Sequence, residues 1–188
     1  MMRILIAYAT KEGQTEKIAR RLATVLRERG DAPHLLDTDH PDGSMDLEQF
    51  QAALVCAPIH AGGYPRSLVR FARQHRAFLE RGPSAFLSVG LAIASRTTDG
   101  RAETLPTIEK FVKRTGWRPA RIELVAGALP YSKYNVLIRF IMRRIAAREG
   151  GDVDTSRDYE YTDWSAVDRF ASQFAADSTQ HSERVAND

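Results

Sequence analysis

The fold is decided by one short stretch, Thr10-Lys11-Glu12-Gly13-Gln14-Thr15, which joins a strand pattern to a helix pattern. The apolar run 4–8 precedes it directly, and apolar residues recur at helical spacing over 16–29. Gly13 lets the backbone come close to a ligand, and the first N–H groups of a helix have no partner inside that helix. The stretch therefore predicts a strand, an anion-binding turn and a helix.

The same stretch limits the kind of anion. It contains neither G-x-x-x-x-G-K-[ST] nor G-x-G-x-x-G, so a nucleoside triphosphate and a dinucleotide fit it less well than one terminal phosphate. The hydroxyls of Thr10 and Thr15 add donors, and the pattern requires no metal. Flavin mononucleotide (FMN) is the candidate ligand. The alternative is a turn without a ligand, in which Thr15 only caps the helix.

Length and composition predict one domain. The chain has 188 residues, 43% of them hydrophobic, and we expect the domain to cover 1–177 and a polar, disordered tail to cover 178–188. Cys56 is the only cysteine and lies in the apolar run 52–57, which indicates a buried strand cysteine. We expect a cytoplasmic protein, because a strand starts where a signal peptide would lie and no apolar run could span a membrane. A net charge of +3 does not indicate nucleic-acid binding.

Strand and helix patterns alternate along the chain. Five apolar runs predict strands, at 4–8, 32–37, 54–57, 85–89 and 122–127. The helices between them include a single helix over 65–81, and a last helix follows a cap at Thr162 or Asp163. This alternation predicts an α/β fold with a doubly wound five-stranded parallel sheet, for which we expect the order 2-1-3-4-5.

In such a sheet a ligand binds at the carboxyl ends of the strands, where the strand order reverses. Three loops meet there, the first at 10–15, the second at 58–64 and the third at 88–95, and they predict a site for the phosphate and the flat ring of FMN. The predicted cofactor-binding residues are Thr10, Lys11, Glu12, Gly13, Gln14, Thr15, Pro58, Ile59, His60, Ala61, Gly62, Ser88, Val89, Gly90 and Leu91. We assign no catalytic acid or base, although His60 is the only imidazole in these loops.

A basic segment follows the fifth strand, within an insert at about 128–158. Residues 131–151 carry five basic side chains and one acidic side chain, and their apolar residues recur at helical spacing. This pattern predicts a basic amphipathic helix that lies on a membrane surface or docks a partner. The predicted membrane contacts are Tyr131, Arg139, Arg143, Arg144 and Arg148. The alternative is an insert that packs on its own sheet.

Several motifs resemble those of a known family. The run Y-A-T-K-E-G-Q-T at 8–15 is similar to the phosphate loop of the flavodoxin superfamily. Four later motifs resemble its menaquinone-dependent protoporphyrinogen oxidase branch, namely W-R-P at 117–119, A-G-A-L-P-Y at 126–131, G-G-D-V-D-T at 150–155 and Y-T-D-W at 161–164. The resemblance implies an FMN enzyme of haem synthesis that oxidises protoporphyrinogen IX and reduces a menaquinone-type acceptor. It also implies a flavodoxin-like fold. Because both of these substrates are large and apolar, we expect the basic insert to attach the protein to the inner face of the cell membrane.

The chain departs from that branch in the second loop. His60-Ala61 stands where the family tends to place a basic and an aromatic residue, which leaves Tyr64 as the candidate to stack on the flavin. Two other functions stay open, a flavodoxin-type electron carrier and an NAD(P)H-dependent quinone reductase. Carriers usually meet basic partners through an acidic face, which is not evident here, and a quinone reductase of that kind would need a dinucleotide site, which we do not find.

Overall fold

The computed structural model describes residues 1–41, 45–95, 99–133, 143, 146–147 and 152–187. Its central sheet consists of β1 (Arg3–Tyr8), β2 (Ala32–Asp37), β3 (Ala52–Pro58), β4 (Ser84–Gly90) and β5 (Arg121–Ala126). All neighbouring strands are parallel and their order is β2-β1-β3-β4-β5. The predicted fold class and strand order are therefore confirmed.

Helices cover both faces of this sheet. They are α1 (Gln14–Glu28), α2 (Arg66–Gln74), α3 (Arg76–Arg81), α4 (Gly100–Thr115) and α5 (Trp164–Asn187). Side chains of α1 and α5 pack on one face, while those of α2, α3 and α4 pack on the other. Because successive residues of a strand point to opposite faces, Ile4 and Ile6 join the first core and Leu5 and Ala7 join the second.

Cys56 is fully buried in β3, as predicted. Burial raises the pKa of its thiol well above the ordinary value, because a thiolate would have to lose its hydration there. The thiol therefore stays protonated, and its role is to pack in the core between the sheet and the layer of α1 and α5.

The predicted single helix over 65–81 is wrong, because two helices occupy this segment. The first ends at Gln74 and the second starts at Arg76. His75 lies between them with φ −107° and ψ 26°, which departs from helical geometry and changes the direction of the chain.

The predicted disordered tail is also wrong for residues 178–187. The last helix continues to Asn187, and Ser178 is fully buried. No glycine or proline occurs after Trp164, so nothing in the backbone ends the helix earlier. The hydroxyls of Thr179 and Ser182 donate to the carbonyls of Ala175 and Ser178, which satisfies these polar side chains within the helix.

A second, small sheet follows β5. It pairs β6 (Ala128–Leu129) with β7 (Tyr159–Glu160) in antiparallel fashion. Most of the predicted basic helix between these strands lies outside the described residues, including Arg139, Arg144 and Arg148. No helix in the described part of the chain combines the length and the apolar character that a membrane crossing requires.

Tyr131 was predicted as a membrane contact, and the structure contradicts that role. The side chain is fully buried. Its ring packs edge-on against Tyr159 and its hydroxyl donates to the carbonyl of Asp152. Tyr131 therefore holds the base of the insert together. Arg143, by contrast, is exposed.

Candidate functional site

The predicted anion-binding turn has the geometry that its glycine allows. Gly13 has φ 97° and is the N-cap of α1, with no side chain capping the helix. Its N–H donates to the hydroxyl oxygen of Thr10 at 3.0 Å, which leaves the hydroxyl proton of Thr10 able to donate. The alternative assignment of Thr15 as the cap is wrong, because Thr15 lies inside the helix and is 1% exposed.

The start of α1 presents the donors that an anion needs. The first intrahelical bond runs from Lys17 N–H to Gly13 C=O at 3.1 Å, so the N–H groups of Gln14, Thr15 and Glu16 have no partner within the helix. The helix has 15 residues, and its dipole favours negative charge at this end. The turn can therefore hold a phosphate through backbone donors.

The second loop makes a tight turn with a small tip. His60 and Gly63 exchange backbone hydrogen bonds of 2.9 and 3.1 Å. The two residues between them have positive φ, 48° at Ala61 and 70° at Gly62. A non-glycine residue rarely adopts this conformation, and Ala61 has the smallest side chain that could. Beside the cleft, this loop therefore presents backbone groups and, at its tip, no side chain larger than that of alanine.

The third loop presents its backbone to the cleft, while its Ser88 side chain points away from the cleft. Val89 C=O accepts from Ile59 N–H at 2.7 Å, and Gly90 C=O accepts from Gly127 N–H at 3.2 Å, so the loops are joined to one another. Ser88 is fully buried, and its hydroxyl lies 2.7 Å from that of Tyr64. Its side chain therefore bonds within the core.

Tyr64 does not take the stacking position that the sequence predicts. Its ring meets Phe86 and Phe111 edge-on, at centroid distances of 5.1 and 5.2 Å. Burial raises the pKa of Tyr64 to about 12, although its hydrogen bond with Ser88 lowers it. The phenol is thus a neutral core group. The prediction is wrong because long-range aromatic packing, rather than loop position, decides where this ring lies.

Most of the predicted site residues meet in one cleft. It is lined by Thr10, Lys11, Glu12, Gln14, Thr15, Pro58, Ile59, His60, Val89, Gly90, Leu91, Gly127 and Ala128. Ala61, Gly62 and Ser88 do not line it, and Gly13 shapes it through the backbone turn. Sequence reasoning missed Gly127 and Ala128. The motif at 126–131 was the signal for them, since it follows the strand next to β4.

The segment after the insert is tied to the anion-binding turn. Gln14 Nε2 donates to the hydroxyl of Thr162 at 2.9 Å, and that hydroxyl donates to Ala126 C=O at 2.7 Å. Asp163 then caps α5 by accepting from Ala166 N–H, which agrees with one of the two predicted caps. The Gln14 side chain therefore links the turn to the end of β5.

An ion pair supports the same junction. Lys17 Nζ lies 3.0 Å from Glu160, which also accepts from the indole N–H of Trp164. Burial raises the pKa of Glu160, but the hydrogen bonds from Lys17 and Trp164 outweigh it and hold that pKa below its ordinary value. The carboxylate thus stays charged and connects α1, β7 and α5.

The chain is similar to a known protein family and to proteins with assigned names. The flavodoxin-domain family model matches residues 5–156. The chain is 34% identical over 174 residues to protoporphyrinogen IX dehydrogenase (quinone) of Escherichia coli, covering 93% of this chain and 95% of that protein. It is 35% identical over 176 residues to the protein of the same name in Leishmania major, covering 92% and 74%.

Solved structures show the same fold at low sequence identity. A short-chain flavodoxin associated with a bacterial microcompartment superposes with a TM-score of 0.53 at 13% identity, covering 95% of this chain and 99% of that chain. Oxidised flavodoxin 1 from Bacillus cereus superposes with a TM-score of 0.51 at 16% identity, covering 93% and 97%. These likenesses support the fold.

Proposed function

This chain belongs to the flavodoxin-domain family, and we propose that it is an FMN-dependent protoporphyrinogen IX dehydrogenase that passes electrons to a quinone. The observation that carries the proposal is the similarity to the Escherichia coli enzyme, which extends over 95% of that enzyme's length. It therefore includes the region after β5 as well as the cofactor loops.

The anion-binding turn fits the phosphate of FMN. Gly13, at φ 97°, has the backbone conformation that brings N–H groups toward one point, and the Thr10 hydroxyl lies beside it. Thr15 and Lys11 line the same end of the cleft. We assign phosphate binding to residues 10–15, because the backbone N–H groups there can hold an anion without a metal ion.

The flat ring would lie between the second and third loops. Pro58, Ile59, Val89 and Gly90 line that part of the cleft. Gly90 has no side chain, and a Cβ there would already come within 3.4 Å of Ile59 Cδ1, so the loops approach each other closely. Flavin, when bound, supplies two-electron chemistry and can release those electrons singly or in pairs.

The residues of this chain bind and orient in that reaction. The turn over 60–63 carries side chains no larger than alanine at its tip, which leaves room for a second flat molecule beside the cleft. His60 also lines the cleft and is exposed. We assign it no proton transfer, because it has no carboxylate partner among the described residues.

We further propose that the acceptor is a menaquinone-type quinone and that the protein attaches reversibly to the inner face of the cell membrane. Both substrates are large and apolar, so a site against the bilayer gains access to them. The basic residues of the insert support this, and Arg143, one of the four arginines predicted to contact the membrane, is exposed. Each arginine near an anionic surface contributes roughly 1 kcal/mol.

The test of the activity is an anaerobic assay of the flavin-loaded protein. Protoporphyrinogen and a soluble quinone are mixed with it, and porphyrin fluorescence is followed over time. We expect fluorescence to rise only when protein and quinone are both present. A rate equal to that without protein would overturn the proposal, and flavin bleaching by NADH or NADPH alone would favour a nicotinamide-dependent quinone reductase.

A further inference from the structure

A cavity in the described part of the chain lies outside the cofactor cleft. It encloses about 650 Å³ beside the turn over 60–63, between the end of β2 and helix α2. Lys11 and His60 line both this cavity and the cofactor cleft, so the two spaces adjoin. A molecule held here would lie next to the bound flavin.

The cavity has an apolar floor. Tyr64, Pro65 and Phe71 line it and are buried, and Pro41 adds apolar surface. His75 also lines it, and burial lowers the pKa of this imidazole, which keeps it neutral near pH 7. The floor is therefore suited to a large, mainly apolar molecule.

The rim of the cavity is cationic. Arg66 and Arg70 are exposed, lie one helical turn apart on α2 and both line the cavity, and Lys11 adds a third positive charge. Asp39 is the carboxylate on the same rim. Within the described residues neither arginine has an ion-pair partner, so both guanidinium groups are available to a ligand.

We propose that this cavity binds the porphyrinogen, with Arg66 and Arg70 holding its two carboxylates and the apolar floor supporting its macrocycle. The inference rests on the proposed function. It adds where the substrate binds and which end of it the arginines hold. A porphyrinogen is a large macrocycle with two propionate groups on one edge, which matches an apolar floor with a paired cationic rim. Arginine suits this role because its planar guanidinium can bind a carboxylate through two hydrogen bonds.

The two residues shared by both spaces support this placement. With the carboxylates on α2, the macrocycle would extend past Lys11 and His60, which line the cavity and the cofactor cleft, toward that cleft. Ala61 and Gly62, at the exposed tip of the neighbouring loop, line neither space.

The experiment compares the double variant Arg66→Gln/Arg70→Gln with a matched control, Arg73→Gln. Arg73 is exposed on the same helix but does not line the cavity. Oxidation of protoporphyrinogen is measured beside oxidation of its dimethyl ester, which has no carboxylates. Since an exposed ion pair changes affinity by about 1.4- to fivefold, we expect loss of two such pairs in the double variant to raise KM for the diacid by about two- to 25-fold.

The control reactions make the result specific. The double variant should leave kcat for the diacid, KM for the ester and the flavin content unchanged, and Arg73→Gln should behave like the unmodified protein. An unchanged KM for the diacid would overturn the proposal. So would an equal rise for diacid and ester, because that would indicate a general distortion of α2.

A binding measurement separates this proposal from the proposed activity. Protoporphyrin IX and its dimethyl ester are titrated into the flavin-loaded protein without quinone. Binding of the diacid that weakens in the double variant supports the site even if the unmodified protein oxidises no porphyrinogen, an outcome in which only the activity fails. If the double variant oxidises porphyrinogen as the unmodified protein does, the proposed binding site is refuted but the proposed activity is not. Flavin bleaching by NADPH that depends on these arginines would assign the cavity to a dinucleotide instead.

Discussion

Replacing Gly13 with valine tests the anion-binding turn most directly. Gly13 has φ 97°, where a residue with a Cβ is strained by about 1–2 kcal/mol, and a β-branched residue by more. If the backbone relaxes, phosphate loses N–H donors, and each hydrogen bond to a charged group contributes about 1.5–3 kcal/mol. Loss of one such bond corresponds to at least about tenfold weaker binding, so we expect Gly13→Val to bind FMN at least tenfold more weakly.

Gly30 provides the matched control for this prediction. It lies just beyond the other end of α1, with φ 87° and nothing within 4 Å of a Cβ placed there. Gly30→Val should therefore carry similar backbone strain without touching the ligand. Both variants should lower the Tm by about 2–8 °C, since 1 kcal/mol corresponds to about 2–4 °C at this chain length. FMN affinity is measured by fluorescence titration, and the reasoning is refuted if Gly13→Val keeps the affinity of the unmodified protein or if Gly30→Val loses as much.

Three other predictions follow from contacts in the structure. Thr162→Val removes the hydroxyl between Gln14 and Ala126, so it should lower the free energy of unfolding of the flavin-free protein by about 1–3 kcal/mol, measured by thermal unfolding. Thr162→Ser keeps a hydroxyl and should lower it less, and equal losses in the two variants would contradict the role of the hydroxyl. Because burial raises the pKa of Tyr64 to about 12 from 10.0, the folded protein keeps this proton when the unfolded chain loses it, so stability should fall as pH rises from about 10 to about 12. Tyr64→Phe should fall less over that interval, and identical alkaline profiles would show that another group is responsible. Replacing Arg139, Arg143 and Arg144 with glutamate should abolish co-sedimentation with anionic vesicles at low salt while leaving flavin content unchanged; failure of the unmodified protein to bind vesicles would remove the membrane proposal.

Local features of the chain were enough to predict the fold. Strand runs alternate with helical patterns, which indicates a parallel sheet with helices on both faces, and the expected order of the five strands is the observed one. The left-handed conformation of Gly13 was predictable for the same reason, since a strand that turns directly into a helix needs a residue that tolerates it. Asp163 as a cap is equally local, because the cap bonds to a residue three positions away.

The errors concern residues whose environment is made by distant parts of the chain. Tyr64 occupies a loop that borders the cofactor cleft, yet Phe86 and Phe111 hold its ring in the core. Tyr131 begins a basic segment, yet contacts with Tyr159 and Asp152 bury it. In both cases the sequence indicates an amphipathic aromatic residue, and only packing decides which side of it meets solvent.

The sheet, the anion-binding turn and the loops that form the cleft could be predicted from the sequence. Each of them depends on neighbouring residues and on the periodicity of strands and helices. Tertiary packing, by contrast, brings Gly127 and Ala128 to the cleft, joins Gln14 to Thr162, and places Arg66 and Arg70 of α2 in a cavity that adjoins the cleft. Gln14 and Thr162 are 148 residues apart, and α2 reaches its place through its packing on the sheet. Such contacts depend on how whole elements dock, which no local pattern encodes.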